Sequence, residues 1–189
     1  MRSLVYAFFI LLVSAGGAFG QPSREGLPIS QVQIFQRMLF QAEEGNFDSV
    51  QKSTLFLDPL LSDFQAKFGI NMKAGIQDKI ARKDKAGLES DVLHLVFLDM
   101  SDLFQIAGEQ LKEKKLENAK VKIRTAYQDY LILSPSMSEK AFPADQKIKN
   151  DFRILTLGTE LTLRPEEYLR LTAEVQQLIV SAYPGYKMK

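Results

Sequence analysis

Leu88-Glu89-Ser90-Asp91-Val92-Leu93-His94-Leu95-Val96-Phe97-Leu98-Asp99-Met100-Ser101-Asp102-Leu103-Phe104-Gln105-Ile106-Ala107-Gly108-Glu109-Gln110-Leu111 repeats its apolar residues at helical spacing. At about 100° per residue, Leu88, Val92, Leu95, Val96, Leu103 and Ile106 fall on one arc, widened by Leu93, Phe97, Met100 and Phe104. No alternating strand pattern competes with this reading. The spacing predicts one long helix from Leu88 to Leu111.

The same periodicity extends on both sides. Phe35, Met38, Leu39 and Ala42 form the stripe of a helix that Ser30 caps with Gln33, and Gly45-Asn46 ends it. Val50, Thr54, Leu57, Leu61, Phe64 and Phe68 continue one face up to Gly69, with Asp58-Pro59 as a kink or restart. A short helix is predicted over Met72–Arg82, then one from about Glu117 to Leu133 that stops before Ser134-Pro135. Asp145–Leu163 and Pro165–Tyr183 complete the set, the last with Glu166 and Glu167 in its first turn. The expected fold class is all-α, an antiparallel helical bundle or helical-hairpin array of six or seven helices. A shift of 76 residues lays Leu55–Pro59 over Leu131–Pro135 and Asp91–Leu95 over Glu167–Leu171, which would fit a two-fold internal duplication.

Ahead of the helices, Arg2 precedes an apolar run from Leu4 to Val13. Small residues follow and end in Ala18-Phe19-Gly20. A basic start, an apolar middle and a small-x-small exit read as a secretory signal peptide over 1–20. The run is short of the roughly 20 residues a membrane span needs. The expected organisation is signal peptide 1–20, flexible lead-in 21–28, a single helical domain 29–185 and a short tail 186–189. That predicts a periplasmic or secreted protein with no membrane insertion after cleavage.

Cleavage would leave 169 residues, a normal single-domain length that buries about 70% of its unfolded surface. The chain has no cysteine, so such a domain relies on packing alone and has no thiol nucleophile, thiolate metal site or covalent haem. The 24 Lys+Arg and 23 Asp+Glu come into balance once Arg2 leaves. A balanced chain gives no electrostatic reason to expect nucleic acid. The clusters Lys79–Lys85 and Lys112–Lys115 sit at helix ends and read as solvated caps.

The chemistry-bearing residues are few. His94 is the one histidine, and the wheel sets it opposite the apolar arc beside Ser90, Ser101 and Gln105, as an outward surface residue. Asp91-x-x-His94 imitates the acid-x-x-His pair of di-iron bundles, which need two such pairs and more carboxylates. A lone histidine also argues against a Ser-His-Asp triad and a multi-histidine zinc site. No cofactor is expected. Asp99 differs, because it lies seven residues after Val92 and seven before Ile106, inside the apolar arc. A buried carboxylate must be paired, hydrogen-bonded or protonated. Tyr127 and Tyr130, on the stripe with Ile123, Ala126 and Leu133, are the expected hydroxyl donors to it.

Ala126-Tyr127-Gln128-Asp129-Tyr130, followed by Ile148 and Phe152-Arg153, loosely resembles helical extracytoplasmic segments found before some bacterial high-affinity iron permeases. Leu131-Ile132-Leu133 stands where those segments carry an acidic signature. The resemblance therefore implies no ligand set and only raises metal handling as a reading.

These features predict an exported, non-enzymatic helical module that binds an envelope or extracellular protein, or a small ligand. Phe64, Phe68, Phe142, Tyr127 and Tyr130, near the two proline hinges, are its candidate groove. The alternative is a carboxylate-based metal (iron) binding or sensing protein associated with transport, with Asp99, Asp91 and His94 as candidate ligands. A hydrolase built on an acidic pair ranks last.

Overall fold

The computed structural model describes residues 30–159 and 163–186, so the expected leader and lead-in lie outside the described residues. The protein is all-helical: seven helices and no strand are found among the described residues. None of these helices is long and apolar enough to cross a membrane. They are α1 (Gln31–Glu43), α2 (Phe47–Leu55), α3 (Asp58–Phe68), α4 (Met72–Arg82), α5 (Lys85–Lys112), α6 (Leu116–Leu157) and α7 (Pro165–Ala182). They fall into two compact units. One takes in the described residues up to Gln65 together with Asn71–Val92, and the other Ala66–Ile70 together with the described residues from Leu93 onward.

In the first unit, α1 packs on α2 and α2 on α4. Ser30 and Gln33 close the expected capping box, each side chain taking the other's backbone N–H. Gly45, at φ +71°, turns the chain out of α1 in a left-handed conformation that costs glycine little. Asn46 and Asn71 then cap α2 and α4 by accepting from the amides of Ser49 and Ala74. The core is the predicted stripe, with Phe35, Met38, Val50, Phe64 and Ile76 fully buried. The Lys85 ammonium donates to the Glu43 carbonyl at the end of α1.

The second unit corrects the reading of α6. The helix does not stop before Ser134-Pro135 but runs through Pro135 and breaks at Ala141 (φ −152°, ψ 66°). Each proline removes one backbone bond and crowds the carbonyl four residues back, a cost of about 3 kcal/mol inside a helix. Burial decides which proline wins. Ile132, Leu133, Ser134 and Met137 around Pro135 are buried and hold the helix, whereas Glu139, Lys140, Phe142 and Pro143 are exposed. The repeat expected from the 76-residue shift is not reproduced at this point. The α2–α3 break at Phe56-Leu57 would recur at Ile132-Leu133, where α6 is uninterrupted.

Asp145 ties the two halves of α6 across that break. Its carboxylate accepts from Tyr130 Oη at 2.6 Å, Ser134 Oγ at 2.8 Å and Lys149 Nζ at 2.8 Å. Burial alone would push this carboxyl up. The hydrogen bonds from Lys149, Tyr130 and Ser134 outweigh burial and hold it below the usual carboxylate range. Farther along, Lys147 bridges Asp151 at 2.5 Å and Glu174 at 2.9 Å, which joins α6 to α7. Replacing Asp145 with Ala strands three donors and is expected to cost on the order of 3 kcal/mol in chemical denaturation. A depressed carboxyl adds stability that is present above the ordinary carboxylate range and lost as pH falls through its lowered value. Asp145→Ala should therefore also flatten the acid limb of the stability curve below about pH 4.

Candidate functional site

Every residue of α5 from Leu95 to Phe104 is buried, so this part of the helix has no solvent face. Its polar groups must be answered inside the protein. Ser101 Oγ donates to the Phe97 carbonyl at 2.8 Å. Asp102 accepts from Lys67 Nζ at 2.9 Å, the lysine reaching in from the last turn of α3. Asp99 is 3% exposed, as its place in the apolar arc implies, and its Oδ2 accepts no hydrogen bond.

The two tyrosines do not answer Asp99. Tyr130 is committed to Asp145, and Tyr127 packs its ring on Phe152, centroids 5.0 Å apart. A second buried carboxyl lies on α6. Asp129, on α6, is fully buried and neither of its oxygens accepts a hydrogen bond. Burial raises it well above the usual carboxylate range, and the charge of Asp99 raises it further. Asp99 is pushed up to about 7 by burial and by Asp102, against the pull of Lys122 and Lys67. Asp129 was legible by the same rule as Asp99, since it sits three residues after Ala126 and four before Leu133 on the apolar stripe. With exposures of 3% and 0%, the two carboxyls offer no surface to a substrate. What they can do is hold a proton.

His94 is not an outward residue. It is half-buried, stacked on Tyr186 with centroids 4.6 Å apart and planes 4° from parallel, and Tyr186 stacks in turn on Tyr183 at 4.7 Å. The wheel assumed a solvent face on α5; the chain after α7 covers it, so Tyr186 belongs to the core and not to a tail. Burial lowers the imidazole's proton affinity. Ser101, placed beside His94 as a surface residue, is likewise buried.

Asp91 lies in the first unit. Its Oδ2 would be 3.2 Å from a Cβ at Gly75, so α4 and α5 come together closely there. Burial raises this carboxyl, Lys79 lowers it, and Asp84 and Asp78 raise it again. Asp91, His94 and Asp99 are thus each engaged with different neighbours. Among the described residues no group of three or more His, Asp or Glu side chains is placed to hold a metal ion.

Of the five groove candidates, Phe64, Phe68 and Tyr130 are core side chains with no surface to offer. Tyr127 is half-buried against Phe152, and Phe142 stands exposed beside the Ala141 break. A depression of about 240 Å³ lies elsewhere in the second unit, between the C-terminal turns of α5 and the start of α7. Phe104, Gly108, Pro165, Tyr168 and Leu169 line it, with Gln105, Glu109 and Lys112 beside them. Tyr168 Oη donates to the Phe104 carbonyl at 2.7 Å and fixes the ring that forms one wall. Gly108 leaves the space, since a Cβ there would come within 3.3 Å of that ring. Sequence reasoning missed this site because its lining joins residues some sixty positions apart, and only Pro165 stood out locally.

Comparison with known protein families, with curated proteins and with solved structures found no match for this chain.

If Tyr186 is what keeps His94 neutral, Tyr186→Ala should raise the His94 pKa toward its ordinary 6.5, read from ring-proton chemical shifts. An unchanged titration would mean that other residues bury it.

Proposed function

We propose that this protein is an exported, non-enzymatic helical module that docks another protein through the depression between α5 and α7. The observation supporting this reading is the size and lining of that site. At about 240 Å³ it falls below the roughly 300–1,000 Å³ of pockets that enclose whole small molecules. It suits one apolar anchor side chain from a partner. The walls are aromatic and aliphatic, and Leu169 is 53% exposed, a large apolar surface left to solvent. Gln105, Glu109 and Lys112 supply the polar surround that protein interfaces place around an apolar centre. The leader-like segment 1–20 supports a partner outside the cytoplasm, in the periplasm or beyond.

The test is a photo-reactive residue placed at Leu169 in the producing cells, with a second at Arg124, an exposed position on α6. The expected result is a protein adduct from position 169 and none from 124. Equal labelling from both positions, or none from 169, would contradict the proposal. Leu169→Glu is expected to abolish binding of that captured partner and to change folding stability by no more than about 0.5 kcal/mol, because the side chain faces solvent.

A further inference from the structure

We infer that the chain beyond α7, Tyr183-Pro184-Gly185-Tyr186, is an acid-released latch, closed across α5 and α6 while His94 is neutral and opened when His94 takes up a proton. Two rings anchor the latch. Tyr183 lies under the Lys140 ammonium, 3.8 Å from the ring centroid, and its Oη donates to Ser136 Oγ at 2.6 Å. It thereby grips α6 in the turn before the Ala141 break. Tyr186 stacks on Tyr183 at 4.7 Å and on His94 at 4.6 Å, with the Phe97 ring 5.8 Å away. Both tyrosines are buried, whereas Pro184 and Gly185 between them are exposed. The segment is thus an exposed turn fastened at its two ends by aromatic contacts.

His94 is where a proton acts on these contacts. Its Nε2 is buried and has no hydrogen-bond partner among the described residues. A neutral imidazole can leave that nitrogen bare, but an imidazolium must carry a hydrogen on it, and the closed latch supplies no acceptor. A cation on a tyrosine face gains some attraction, less than the burial of an unpaired charge costs. No counter-ion offsets that cost. The rings of Tyr183 and Tyr186 bring no charge, and Lys140 beyond Tyr183 is itself positive. On α5, Asp91 feels Lys79, Asp84 and Asp78, and Asp99 feels Asp102, Lys122 and Lys67. Burial alone accordingly lowers the imidazole's proton affinity. Linkage is reciprocal, so a closed latch that disfavours the proton is disfavoured by it to the same extent. Closure is therefore fully supported above the ordinary imidazole value of 6.5 and loses support as pH falls through the lowered one.

The experiment follows the Tyr186–Phe97 ring contact by proton–proton Overhauser effects in the wild type and in His94→Gln, which cannot take up the proton. In the wild type the contact should be present at about pH 7.5 and lost by about pH 5, in step with the His94 ring shifts. His94→Gln should keep it at both values. A wild-type contact that persists at about pH 4.5, or a variant that loses its contact over the same range, would overturn the proposal. Should His94→Gln fail to fold, the wild type alone decides. Opening that coincides with the His94 titration supports the latch; opening at about 7, where Asp99 titrates, would overturn it.

Discussion

A helix without a solvent face is the constraint on which the rest of the second unit depends. From Leu95 to Phe104, α5 is buried on every side, yet it carries Asp99, Ser101 and Asp102 in that stretch and His94 just before it. Each polar group needs an answer that water cannot give. Ser101 turns to its own backbone, and Asp102 draws a lysine in from α3. The chain beyond α7 folds back so that Tyr186 covers the imidazole. Asp99 is left with an Oδ2 that accepts no hydrogen bond.

Two buried aspartates in this unit are driven in opposite directions by what surrounds them. Asp145 is as buried as Asp129, but three donors converge on it, and hydrogen bonding outweighs desolvation. Asp129 has no donor and a negative neighbour, so desolvation and repulsion act together. Converging donors lower Asp145, while burial and a like charge raise Asp129. The first carboxylate fastens a broken helix as an anion; the second fits its place as a neutral acid.

The all-α class was legible because helical periodicity persists along the chain, and caps such as Ser30, Asn46 and Asn71 depend on local residues alone. What escaped the sequence required knowing which face each helix buries. Pro135 and Pro143 look alike in a string of letters; only the packing around the first and the exposure around the second separate a continuous helix from a broken one. His94 was assigned to solvent, but Tyr186 from the chain beyond α7 stacks on it. The tyrosines offered to Asp99 were claimed by Asp145 and Phe152, neither of which local spacing could reveal. The depression at α7 depends on Gly108 meeting Tyr168, a long-range juxtaposition.

An encircled α5 also gives a mechanical reason for the proposed docking site to lie at that helix's C-terminal turns, where burial gives way to exposed Gln105, Glu109 and Lys112. A rigid helix presents Phe104 and Gly108 in fixed register to Tyr168, and a preformed site spares a partner part of the ordering cost. Residue-resolved amide hydrogen exchange reads out the encirclement of α5. The amides of Leu95 to Phe104 should exchange only through global unfolding of their unit, far more slowly than those of Glu109 to Lys112. Exchange of both stretches at similar rates through local opening would contradict the account.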